Sequence, residues 1–239
     1  MIYPGNIIGP QFDKSDLVDF KFKGATLTLL LPEIPLETRR IDEVSTIKDF
    51  SDVDTQDWEL TSEDDPCFTL VSQKWNFEDA KTFDDIASCW VEITLVEVSE
   101  QMQQSHMILS KSALKKYFLD AFARALEGEE GANMDNPNWP KKDNAFNYKC
   151  IKRESLDWMQ IEVCFATGSQ PSPLAFIPID NRYVLNISFH MSSMHYADRK
   201  NPYSDELISK MEFGLFDEYL QSINLRYTSE TLQRIQSFN

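Results

Sequence analysis

Glycine is scarce in this chain of 239 residues, with only 7 glycines against the roughly 7% of average usage. The seven are scattered, so the sequence contains no glycine-rich loop that could cradle a nucleotide phosphate. It also lacks a GxSxG motif, and its three histidines leave few ways to assemble a Ser–His–carboxylate set. We therefore predict a non-enzymatic protein with no catalytic residues and no cofactor.

Long apolar runs and paired cysteines are also missing. The densest apolar run, residues 27–31, is interrupted by Thr28 and is too short to cross a bilayer. Residues 1–5 show no basic segment followed by an apolar one, so no secretory signal is expected. The four cysteines form no CxxC pair, which favours free thiols. We expect a cytoplasmic protein.

Positive charge is in short supply. Lysine and arginine total 23 against 39 acidic residues, which gives a net charge of −16. Nucleic acids and anionic membranes are polyanions that such a chain would repel, so neither is expected as a partner. A basic protein is the natural partner on electrostatic grounds.

The surplus of negative charge is concentrated in residues 42–85, where 14 acidic residues and three lysines give a net charge of −11. One interpretation is a solvated surface that maintains solubility. The other is a binding face, because a cationic partner would relieve the repulsion between clustered carboxylates. We expect one exposed patch and predict these partner-binding residues: Asp49, Asp52, Asp54, Asp57, Trp58, Glu63, Asp64, Asp65 and, from a later loop, Trp139.

Hydrophobic periodicity indicates a mixed fold. We expect an irregular lead-in at 1–19, strands at 20–31, 67–77, 86–98, 145–152, 158–166 and 182–190, and helices at 110–126, after Ser204 and from Ser229. This order lacks regular strand–helix alternation, which favours the α+β class. The prediction is a mainly antiparallel sheet with two long helices packed on it, in a single large domain over 1–239. The loop at 129–144 is the only candidate sub-boundary.

The second half of the chain reads as helix, strands and helix, followed by a short exit at 222–225. Together with the strand at 20–31, this order resembles the PsbP-like α-β-α sandwich layout. The resemblance implies a binding or accessory protein more than an enzyme. It carries no motif, so no catalytic residue follows from it.

The sequence contains two patterns that approach metal-binding motifs. Asp52, Asp54 and Glu63 occupy liganding places of a calcium loop, but Asp57 stands where the sharp turn requires glycine. His190 and His195 lack the tight paired spacing of structural zinc sites. We predict no metal site.

The leading hypothesis is an acidic binding module, most concretely an inhibitor of the immunity-protein or antitoxin type that neutralises a basic protein. An alternative is an enzyme in which His190, Glu162 or Asp180 converge in a cleft of the sheet with shifted pKa values. A third is a chaperone-like accessory subunit, which should expose an apolar patch. The sequence leaves the oligomeric state undetermined.

Overall fold

The computed structural model describes residues 7–56, 58–60, 65–105, 107–117, 148–153, 156–163, 172–194 and 203–238. Strands hold 52% of these residues and helices 24%. The predicted α+β class with two long helices on a sheet is wrong, because the described residues form mostly antiparallel sheet with four short helices, one of them of 17 residues. Of the helix predicted at 110–126, residues 111–117 are helical and 118–126 lie outside the described residues.

The described residues contain twelve strands and four helices. The strands are β1 (Ile7–Ile8), β2 (Gln11–Lys21), β3 (Ala25–Glu33), β4 (Arg39–Val44), β5 (Glu59–Leu60), β6 (Pro66–Asp79), β7 (Asp85–Glu97), β8 (Lys149–Arg153), β9 (Leu156–Val163), β10 (Ser172–Pro178), β11 (Tyr183–Ser193) and β12 (Ile223–Tyr227). The helices are α1 (Glu100–Ser105), α2 (residues 111–117), α3 (Asp205–Gln221) and α4 (Ser229–Phe238), with a 3-10 turn at Met107–Leu109. None of these helices is long and apolar enough to span a membrane.

Nine strands form one antiparallel sheet in the order β1-β6-β7-β11-β10-β9-β8, with β4 and β5 also paired to β6. The central strand β7 alternates as the sequence indicates: Val91, Ile93 and Leu95 are buried, and the residues between them are half-buried. Its eleven-residue register with β11 fixes which side chains share a face.

The second sheet has three strands in the order β12-β3-β2. The irregular lead-in expected at 1–19 is therefore wrong, since β2 occupies residues 11–21 and pairs antiparallel with β3. The single strand expected at 20–31 is the end of β2 and most of β3. A tight turn separates them, in which the backbone N–H of Phe22 donates to the carbonyl of Ala25 at 2.9 Å.

The main core lies between the two sheets and α3. Phe20 and Leu29 of the small sheet belong to the same buried cluster as Trp75 and Ile93 of the large sheet and Leu215 of α3. The predicted helix after Ser204 is confirmed, with the Ser204 side chain accepting from the N–H of Leu207.

A smaller core covers part of the opposite face of the large sheet. There Ile108, Leu109 and Leu114 pack with Met159 of β9 and Phe176 of β10. Coverage of this face by described residues is therefore concentrated at its β9–β10 end.

The carboxylate of Asp180 joins the turns of the two sheets. Its Oδ1 accepts from the backbone N–H groups of Arg182 (2.8 Å) and Tyr183 (3.0 Å), and its Oδ2 accepts from the N–H of Gly24 (3.3 Å). Gly24 is needed here for close approach, because a Cβ atom at this position would lie 2.4 Å from Asp180 Cβ and 2.8 Å from Thr231 Oγ1.

We expect Gly24→Ala to lower the free energy of unfolding by about 1–3 kcal/mol, since the added methyl group forces the two turns apart. Urea denaturation followed by tryptophan fluorescence measures this change. Gly214→Ala within α3 is the matched control and should be neutral or stabilise the protein by up to about 1 kcal/mol. Wild-type stability in Gly24→Ala would contradict the close contact between the turns.

Candidate functional site

The residues predicted to bind a partner are placed in three different settings. Trp58 is buried, and its ring lies 5.1 Å from that of Phe68 and 5.9 Å from that of Tyr183. Asp65 is also buried and accepts a hydrogen bond from the hydroxyl of Tyr117. Both side chains therefore belong to the protein interior and not to an exposed binding face. Four of the predicted residues lie outside the described residues: Asp57, Glu63, Asp64 and Trp139.

The other three predicted residues are exposed on the loop between β4 and β5. Asp49 accepts from the N–H of Ser51 and Asp54 from the N–H of Gln56, each at 3.1 Å, so both shape local turns. Asp52 is exposed beside them. The loop thus presents carboxylates to solvent.

Several further carboxylates of segment 42–85 accept hydrogen bonds from other side chains of the protein. Asp42 accepts from Gln73 Nε2 at 2.9 Å, and Asp79 accepts from the hydroxyl of Tyr203 at 2.6 Å. Asp85 accepts from Asn76 Nδ2 at 2.8 Å. The expected single exposed patch therefore contains only part of the segment's charge.

Two further carboxylates of the segment, those of Glu43 and Glu59, lie on one face of the large sheet, away from the main core. We call this surface the open face. Register places its side chains in adjacent rows across five strands, and all of them are exposed or half-buried. Its members are Ile41 and Glu43 of β4, Glu59 of β5, Ser72 and Lys74 of β6, Trp90 and Glu92 of β7, and Ser188 and His190 of β11.

Trp90 is at the centre of the open face. It is 45% exposed although it lies on the central strand, and its Nε1 donates to Ser72 Oγ at 3.4 Å. Its register partners are Lys74 and His190. A tryptophan with nearly half of its surface in water on a sheet face is a typical anchor for a partner.

Three carboxylates, those of Glu43, Glu59 and Glu92, share this surface with Lys74. Burial and then the charge of Glu59 raise the pKa of Glu92. Among the described residues, no lysine or arginine lies within salt-bridge distance of Glu43, Glu59 or Glu92. This part of the face therefore stores like-charge repulsion that a cation would relieve.

A buried polar cluster lies where β10 diverges from β11. Glu212 of α3 is 1% exposed and accepts from the backbone N–H of Met191 at 2.9 Å, with a further hydrogen bond to the side chain of Ser172. Ser172 Oγ lies 3.0 Å from His190 Nδ1. Burial raises the pKa of Glu212 to about 7 and lowers the pKa of His190.

This cluster differs from the site that the enzyme alternative expects. Asp180 accepts hydrogen bonds from backbone N–H groups of the two turns, and Glu162 forms a 2.6 Å ion pair with Lys149. Neither carboxylate is placed with His190. In a hydrolytic triad the histidine stands between serine and carboxylate, whereas here Ser172 stands between His190 and Glu212.

No group of three or more histidine, cysteine or acidic side chains in the described part of the chain could hold a metal ion. His195 and Glu63, which entered the two metal motifs, lie outside that part. The described residues therefore do not include the complete set of ligands of either motif.

Comparison with known proteins adds no relative: no family model, no curated protein and no solved structure matches the chain. The resemblance to PsbP-like sandwiches thus remains an expectation. The candidate site is defined by its own geometry.

The buried Glu212 predicts a distinct pH dependence of stability. Its folded-state pKa of about 7 exceeds the ordinary value of 4.5, so the folded state keeps a proton that the unfolded state has lost. The free energy of unfolding should therefore fall by up to about 3 kcal/mol as pH rises from 4.5 to 7. Glu212→Gln should lack this component in urea denaturation between pH 4.5 and 8.

Glu218→Gln on the same helix is the control and should retain the wild-type profile. If the free energy of unfolding depended on pH in the same way in the wild type and in Glu212→Gln, ionisation of the buried Glu212 carboxylate would not destabilise the folded state.

Proposed function

We propose that this chain is a non-enzymatic cytoplasmic protein that binds a basic protein partner through the open face. The observation that carries the proposal is the position of the half-exposed Trp90 among Glu43, Glu59 and Glu92, none of which has a cationic partner in the described part of the chain. Burial and the charge of Glu59 raise the pKa of Glu92, so the ionised Glu92 is costly in the free protein. That cost is removed when a lysine or arginine of a partner arrives.

The indole ring of Trp90 would contribute a second interaction with the basic partner. A guanidinium or ammonium group can stack on its exposed face while pairing with Glu92 in the adjacent row. Aromatic anchors surrounded by polar groups are typical of the residues that dominate binding energy. The net charge of −16 further accelerates the encounter with a cationic protein.

The exposed loop carboxylates Asp49, Asp52 and Asp54 extend the negative surface beyond the sheet. A protein of this kind needs no chemistry of its own, since it acts by covering a basic surface. The most concrete version is an inhibitor of the immunity-protein or antitoxin type that occludes a toxin's active site.

The composition of the open face favours this function over a chaperone-like subunit. Its large exposed apolar side chains are Ile41, at 36%, and Trp90, at 45%, and charged or polar groups surround both. A continuous apolar patch, which a chaperone-like surface requires, is not formed by these two side chains.

The test begins with capture of partners from the native host's lysate on the immobilised wild-type protein, with identification by mass spectrometry. Association kinetics are then measured by biolayer interferometry at several salt concentrations. We expect Glu59→Gln combined with Glu92→Gln to slow association about tenfold at low salt and to flatten its salt dependence. Trp90→Ala should mainly accelerate dissociation.

Asp13→Asn combined with Asp16→Asn is the matched control, since it removes two exposed charges from β2 of the other sheet. This control should associate at nearly the wild-type rate. If both double variants lost the same fraction of the association rate, the effect would come from net charge and not from the open face. Failure of the immobilised wild type to retain any basic protein would refute the proposal.

A further inference from the structure

A cavity of about 690 Å³ lies between the large sheet, β12 of the small sheet and helix α4. Its walls come from β9, β10, β12, α4 and the segment around the 3-10 turn. A volume of this size is within the range of small-molecule sites, which is about 300–1,000 Å³. No residue of the open face lines it, so the cavity is independent of the proposed function.

Apolar side chains dominate the walls: Leu109, Leu114, Met159, Ile177, Leu225 and Ile235. Most of them are also members of the two hydrophobic cores, so the cavity is continuous with the protein interior. Such a lining favours an aliphatic group of a ligand, because burial against these side chains removes apolar surface from water.

Helix α4 leaves this space incompletely covered. Leu232 lines the cavity and is 44% exposed, and Thr231 is the one buried residue of α4. The cavity is therefore open to solvent beside Leu232, which gives a ligand a route of entry.

The charges at the cavity point to an anionic head group. Lys111 and Asp157 both line the cavity and pair with each other at 2.8 Å, so they cancel. Arg226 also lines it and is exposed, and its guanidinium makes no hydrogen bond or ion pair with the described part of the chain. In a protein of net charge −16, this guanidinium is a local site of positive potential beside apolar walls.

We propose that the cavity binds a small amphipathic molecule with an aliphatic body and one anionic head, of the class of medium-chain carboxylates. The aliphatic body occupies the space between Met159, Ile177 and Leu225, and the carboxylate pairs with Arg226. Lys111 remains paired with Asp157, so the site accepts a single negative charge.

Isothermal titration calorimetry of the full chain with decanoate, decanol and decyltrimethylammonium, each below its micellar concentration or solubility limit, tests the proposal. We expect saturable binding of decanoate that is tighter than that of decanol, and no binding of the cation. Arg226→Gln should weaken decanoate about fivefold and leave decanol unchanged. Arg234→Gln is the control, since that arginine pairs with Glu230 on α4, and it should bind decanoate like the wild type.

Leu232→Trp narrows the opening at an exposed position and should weaken both decanoate and decanol, with the fold checked by circular dichroism. Absence of saturable decanoate binding, equal binding of the cationic ligand, or an unchanged decanoate affinity in Arg226→Gln would each overturn the proposal. So would binding to phosphatidylglycerol vesicles without binding of free decanoate, because the ligand would then be a membrane surface. None of these outcomes depends on the basic protein partner.

Discussion

The shared core between the two sheets is the constraint on which the rest of this structure depends. Side chains such as Phe20 and Leu29 bury one face of the small sheet against the large one, and α3 completes the layer with Leu215. The Asp180 carboxylate ties the turns of both sheets through three backbone N–H groups. Because the inner face of the large sheet is buried in this core, its exposed polar side chains lie on the open face on the other side.

The carboxylates of this acidic chain fall into two groups, according to whether another side chain donates a hydrogen bond to them. Asp42, Asp79 and Asp85 have hydrogen-bond donors within the protein, so they contribute to the fold. Burial and then the charge of Glu59 raise the pKa of Glu92, and no lysine or arginine of the described residues pairs with Glu59 or Glu92. The proposed partner would supply a cation to this surface.

Local signals in the sequence predicted part of this arrangement. The alternation in β7 and the Ser204 cap of α3 depend on neighbouring residues, and both elements are present. Strand β2 was missed because its apolar residues are few, and it is stabilised by pairing with β3 across the small sheet. The acidic neighbours of Trp58 in the sequence predict a binding role for it, but its surroundings in the fold are aromatic. Only strand register brings Glu59 and Glu92 to one face.

The structure of the protein bound to its captured partner tests the central claim most directly. The account predicts that the Trp90 side chain, 45% exposed in the free chain, is buried in the complex. It also predicts a lysine or arginine of the partner within 4 Å of a carboxylate oxygen of Glu59 or Glu92. A partner that docks on α3 or the small sheet and leaves Trp90 exposed would contradict the account.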